Sequence, residues 1–350
     1  MWVLKEHMRK LHKTFLLFIL ACSTLAYAEN TSGGSLLQDL GARGAGLAGA
    51  GTSLSGDVTF LKYNPAAIAS MQAAQLSVFY YNGGELGTNF GSLVYGQKLG
   101  PGVFALSLSY LDGGMMDLNF SGGGTQNVSS QQDIIGSLSY AMTVSKNIDI
   151  GLSAKGFTST LMGTLSGQAI CADAGVQVKN VLVENLNLGA AILNLGTGIK
   201  YLNTAELLPT NISGGVSYSL AVEKMVFLAA VDGIAGLNDN KNYMIVGTEV
   251  NYESYAIRAG LPLFSVLDTL FSAGIGYKMD EYSFDYSVTF GKTLAPAHRI
   301  SVSMLFGMVK EVAAKETPIQ DKGPSEYKNI APKAPAPEKK PGLLKKEIKK

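Results

Sequence analysis

Charged side chains placed on otherwise apolar, alternating segments are where this sequence could do chemistry. Glu249 and Arg258 stand at roughly equal distances from a turn at Glu253, and both fall on the face opposite Val246, Val250, Ile257 and Leu261. A hairpin centred on that turn would bring the two side chains together across neighbouring strands. Lys155 and Asp149 share the polar face of a second such segment, over 147–160. Either set could brace a wall or line a path for a ligand. A Ser-His-Asp nucleophile would have to use His298, which lies near a segment end with no nucleophile motif beside it. Downstream of residue 28, His298 and Cys171 are the single His and the single Cys, too few for a zinc site built on those ligands. The expectation is therefore a non-enzyme with no metal and no cofactor. Gly44-Ala45-Gly46-Leu47-Ala48-Gly49 matches the dinucleotide fingerprint, yet no strand precedes it and no acidic residue follows in a βαβ frame. Small residues there suit close packing of backbone on backbone instead.

The elements that must carry these residues read as strands. From about residue 73 to 307, segments near ten residues long alternate apolar with small or polar side chains, separated by Gly, Asn, Asp and Pro. In 281–291, Tyr282, Phe284, Tyr286, Val288 and Phe290 oppose Ser283, Asp285, Ser287 and Thr289. A β-sandwich would bury its aliphatic face and cover the other with Lys and Glu. Here the polar face is small and weakly charged, which suits a barrel lumen, and the apolar face suits lipid. Fourteen such segments can be placed: 73–82, 89–99, 102–112, 133–145, 147–160, 169–180, 184–193, 211–221, 224–233, 242–252, 254–262, 269–279, 281–291 and 297–307. Short turns alternate with longer loops over 113–132 and 194–210, the asymmetry of an outer-membrane barrel with its turns in the periplasm. An even strand number places both chain ends on the periplasmic side. No apolar run after residue 30 reaches the roughly 20 residues of a membrane-spanning helix.

The two ends of the chain differ from the middle. Arg9, Lys10 and Lys13 precede an apolar run from Phe15 to Leu25, and Ala26-Tyr27-Ala28 closes it, so 1–28 reads as a signal peptide with the mature chain beginning at Glu29. A lipoprotein box ending at Cys22 is the alternative. Lys310–Lys350 holds eleven Lys against six acids, a net charge of 11 − 6 = +5, with six of the eleven prolines. That composition cannot build a core, and 310–350 reads as a disordered basic tail, either inert or a periplasmic tether. Interleaved basic and aromatic residues that would bind nucleic acid are missing from the strand region.

Gly41-Ala42-Arg43-Gly44-Ala45-Gly46-Leu47-Ala48-Gly49-Ala50-Gly51, followed by Asp57 and Tyr63-Asn64-Pro65-Ala66, resembles the opening of the PorV/PorQ proteins, a branch of the FadL-like outer-membrane barrels. The order continues downstream in Ala172-Asp173-Ala174-Gly175, Asn194-Leu195-Gly196, Gly247-Thr248-Glu249, Arg258-Ala259-Gly260 and His298-Arg299-Ile300-Ser301, so the resemblance spans about 36–307. It implies a 14-stranded antiparallel transmembrane β-barrel over 73–309, with 29–72 folded inward as a plug. Gly41, Arg43, Gly44, Gly46, Gly49, Asn64, Pro65 and Ala66 would be the plug motif. It also implies two functions: a carrier or accessory for secreted cargo proteins in type IX-like export, or, as the alternative, passage of hydrophobic small molecules across the outer membrane. For export, Met115, Met116 and Phe120 in the loop 113–132 form the candidate partner-binding surface, an adaptable apolar set on a mobile connection.

Overall fold

The computed structural model describes residues 31–83, 87–239, 241–264 and 268–307. The expected signal peptide over 1–28 and basic tail over 310–350 lie outside these residues. In chain order the strands are β1 (Ala74–Asn82), β2 (Asn89–Leu99), β3 (Gly102–Asp112), β4 (Met115–Asn119), β5 (Thr125–Ser129) and β6 (Gln131–Ser145). They continue with β7 (Ile148–Leu161), β8 (Leu165–Val178), β9 (Leu186–Gly196), β10 (Ile199–Lys200), β11 (Ala205–Glu206) and β12 (Asn211–Val222). The last six are β13 (Met225–Gly236), β14 (Asn242–Tyr252), β15 (Tyr255–Leu263), β16 (Thr269–Met279), β17 (Tyr282–Gly291) and β18 (Ala297–Phe306). Fourteen of them close into one antiparallel barrel, with β1 pairing β18; β4–β5 and β10–β11 form separate two-stranded pairs. Closure leaves no edge, so the backbone groups of the wall are hydrogen-bonded within it, as a bilayer demands.

Burial along the wall is reversed relative to a water-soluble sheet. In β3, Phe104, Leu106, Leu108 and Tyr110 are exposed while Ala105, Ser107 and Ser109 are buried. The exposed residues therefore face outward, where lipid rather than water is the favourable neighbour, and the small polar residues face a filled interior. Aromatic pairs sit near both rims. Phe104–Tyr140 and Tyr255–Tyr277 lie toward the short turns with ring centres 4.6 and 5.0 Å apart, and Phe271–Phe290 lies toward the loops at 4.5 Å.

Residues 31–72 supply the filling. They carry one helical turn, α1 (Ala42–Gly46), and short 3-10 turns over Val58–Lys62 and Pro65–Ser70. Asp57 starts the first of these turns by accepting from the Thr59 amide, and Asn64 starts the second by accepting from the Ala66 amide with Pro65 at its first position. The segment crosses the interior from end to end. Thr31 bridges Leu207 in the connection after β9, at the loop end, whereas Ser70 meets Asp149 at the turn end, just before β1 begins opposite Phe306. Strand parity therefore does not place Thr31 beside Phe306, because the segment adds one more passage through the barrel that a count of strands omits.

The loop 113–132 carries a two-stranded hairpin of its own. Met115 pairs with Ser129 and Asn119 with Thr125, and the hairpin is closed by a turn in which the Phe120 amide donates to the Gly124 carbonyl at 3.1 Å. Met115, Met116 and Phe120 are exposed on it.

Candidate functional site

The candidate site is the contact between the N-terminal segment and the lumen wall, and charge sets its centre. The β14–β15 hairpin turns at Glu253 and Ser254 with Glu249 directly opposite Arg258 in register, as equal spacing from the turn requires. Both are buried, and the Arg258 Nε donates to Glu249. Three further groups complete the arrangement. Arg43, from α1, donates to both Glu249 oxygens through Nε at 3.0 Å and Nη2 at 2.8 Å. Arg258 also reaches Asp285 on β17 through Nη1 at 2.6 Å, and Arg43 lies 3.6 Å from Asp57 within its own segment. The result is two arginines against three carboxylates, bidentate at Arg43, tying the segment to three strands of the wall. Such a geometry satisfies buried charges that would otherwise be costly.

Lys155 and Asp149 do not pair with each other. Six residues apart on one strand they are roughly 20 Å apart at about 3.3 Å per residue, and each takes a different partner. Lys155 meets Asp173 at 2.6 Å and donates to Asn194 at 2.9 Å; Asp149 meets Lys179 at 2.6 Å. Asp149 also accepts from Ser70 of the segment at 2.9 Å, which fixes the segment's exit at the turn end. Asp232 does the same work near the middle, accepting from the Gly51 and Thr52 amides at 2.9 and 2.8 Å.

The small residues of the motif serve the close approach. A methyl group at Gly44 would lie 2.4 Å from the Tyr63 hydroxyl oxygen, and one at Gly46 would lie 3.3 Å from the Gly274 Cα. One at Gly41 would meet Thr59 at 2.9 Å. Gly49 has φ +94°, a conformation that side chains rarely adopt. Asn64 is fully buried; its amide nitrogen donates to the Thr52 carbonyl at 2.9 Å and to Val176 of β8 at 3.1 Å. Pro65 and Ala66 pass over Gly151 so closely that a methyl there would lie 2.4 Å from the Pro65 carbonyl carbon. The motif residues are thus brought together along one segment, and Glu249 and Arg258 join them through Arg43. Met115, Met116 and Phe120 belong elsewhere, on the β4–β5 hairpin.

Asp232, Asp285, Asp57 and Asp173 were not singled out in the sequence as partners. Their alternation phase places the three strand residues inward, but only the fold brings Arg43 to a carboxylate 206 positions away. A cavity of about 30 Å³ remains between the segment and the wall, beside Lys62 and Lys155, too small for a hydrocarbon ligand.

No protein-family model and no curated protein matches this sequence. Solved structures do. The Ralstonia pickettii toluene transporter TbuX is 12% identical with a TM-score of 0.55, the match covering 77% of this chain and 99% of that one. The CymD monoaromatic hydrocarbon channel is 13% identical at 0.53, over 77% and 98%. The Pseudomonas putida toluene transporter TodX is 13% identical at 0.51, over 81% and 99%. At such identity the likeness is one of fold, a closed 14-stranded antiparallel barrel.

Proposed function

We propose that this protein admits hydrophobic small molecules across the outer membrane, through a barrel closed at rest by its N-terminal segment. The observation that carries the reading is the fold shared with transporters of toluene and monoaromatic hydrocarbons along nearly their whole length. The outward apolar surface and the two aromatic rims fit an outer-membrane location. These neighbours are channels for small molecules and not enzymes, which favours the alternative drawn from the sequence over the export-carrier function that the PorV/PorQ resemblance implies. The segment then acts as the plug. The space beside Lys62, between the segment and the wall, is about 30 Å³, too small for a hydrocarbon, so passage there requires part of the segment to leave its seat. With the short turns in the periplasm, the segment enters the lumen at Thr31 from the outer face.

Deleting the gene from its source organism tests the assignment against its rival. Slower entry of toluene-class compounds with unchanged secreted proteins is the expected result. Normal hydrocarbon entry with loss of secreted proteins sharing a C-terminal domain would replace transport by export.

A further inference from the structure

We infer that the cavity beside Lys62 is a binding site for one small monovalent anion of halide size. Lys62 comes from the N-terminal segment and is only 8% exposed. Its ammonium donates to the Leu36 carbonyl at 2.7 Å, which uses one of three N–H groups. Among the described residues, no carboxylate lies within 4.0 Å of it. A buried ammonium without a counter-ion is costly, so an anion in the cavity would be stabilising.

None of the protein's own acids nearby pairs with Lys62. Asp173 is taken by Lys155 at 2.6 Å. Asp39 accepts from the Tyr63 hydroxyl at 2.6 Å and lies 3.6 Å from Arg299. Asp133 is buried, accepts from Ser35 and Gln131 through Oδ2, leaves Oδ1 without a hydrogen-bond partner, and makes no ion pair with Lys62. Lys155 lines the same cavity and adds positive potential; burial and this second lysine push the Lys62 ammonium down to about 8, which leaves it charged at neutral pH.

The remaining lining suits an anion. Ser107, Ser109 and Ser137 contribute hydroxyls, whereas the Ser35 hydroxyl proton is already given to Asp133. Ser107 and Ser137 bond to each other at 2.6 Å, an arrangement that uses one of their two hydroxyl protons and leaves the other for a guest. A volume of about 30 Å³ exceeds the roughly 10–15 Å³ that one water needs. It accepts a halide and excludes a phosphate ester or a hydrocarbon. A metal cation would meet two ammonium groups.

Bromide is the probe. For the purified full chain in detergent, thermal unfolding in sodium bromide is compared with sodium gluconate at equal ionic strength. One site on the folded state predicts that the unfolding equilibrium constant falls about tenfold for each tenfold rise in bromide above its dissociation constant. In Lys62→Met that dependence should vanish. Crystals of the wild type grown in bromide should show an anomalous peak beside the Lys62 ammonium, a measurement that stands even if the variant fails to fold. Equal stability in the two salts, a bromide response that persists in Lys62→Met, or density for water alone would overturn the site. None of these outcomes depends on hydrocarbon transport.

Discussion

Replacing Gly260 by alanine puts one methyl group where the N-terminal segment passes over β15. That methyl would lie 2.2 Å from the Leu47 carbonyl carbon, 2.4 Å from the Ala48 nitrogen and 2.5 Å from the Leu47 oxygen. Ordinary contact begins near 3.4 Å, so the two backbones must separate by 3.4 − 2.2 = 1.2 Å. Neither side yields easily: Gly260 sits in the hydrogen-bonded wall, and Leu47 ends α1, which Arg43 holds against Glu249. Overpacking of this kind costs about 1–3 kcal/mol. Charged to the seated state, it raises the unseated population about 5- to 150-fold. Trypsin reads that population, because Arg43 and Lys62 lie within the segment and cleavage follows the open fraction when reclosing is fast. Release of the N-terminal peptide, followed by mass spectrometry, should accelerate by that factor in Gly260→Ala. Gly136→Ala is the control, since a methyl there meets nothing within 4 Å. Cleavage of Gly260→Ala at the wild-type rate would mean that the segment does not rest on β15.

Three further outcomes are expected. Glu249→Leu leaves Arg43 and Arg258 facing each other's charge and should destabilise the barrel by about 3–5 kcal/mol, while a double-mutant cycle with Arg258→Leu should show coupling reduced by Arg43 and Asp285, measured as loss of heat-resistant mobility; strict additivity would contradict the contact. In whole cells, a cysteine at Ser32 should label with a membrane-impermeant maleimide, whereas one at Lys224 in a short turn should label only after the outer membrane is permeabilised; the reverse pattern would invert the orientation. In halide-free buffer, the Lys62 proton leaves the folded chain near pH 8 and the unfolded chain near its ordinary value of 10.5, so the unfolded state binds more protons between them and stability should rise with pH across that window. Lys62→Met should flatten that slope, and an unchanged slope would assign it to another group.

The wall was legible in the sequence because alternation reports which face each side chain takes, and a barrel keeps that period along every strand. Fourteen strands and the Glu249–Arg258 register both follow from it, the latter because a tight hairpin fixes its own pairing. Contacts that depend on threading were not legible. Arg43 could be recognised by resemblance as part of an inward segment, but its choice of Glu249 depends on where α1 lies against β14. Lys155 and Asp149 share a face, as the period requires, but inward residues of one strand share a face without sharing a height, so each meets the neighbouring strands instead. The β4–β5 hairpin escaped notice because Met115–Asn119 and Thr125–Ser129 stand clear of the barrel with little buried on either face, which leaves no alternation to read.

Transport is tested most directly by the initial rate at which a radiolabelled monoaromatic hydrocarbon enters cells whose own barrels of this fold have been removed, with the protein's surface abundance matched across samples. The wild type should raise entry above the empty vector and saturate with hydrocarbon concentration, as passage through a discrete site requires. Entry equal to the vector at full surface abundance of the folded barrel would contradict the proposed function.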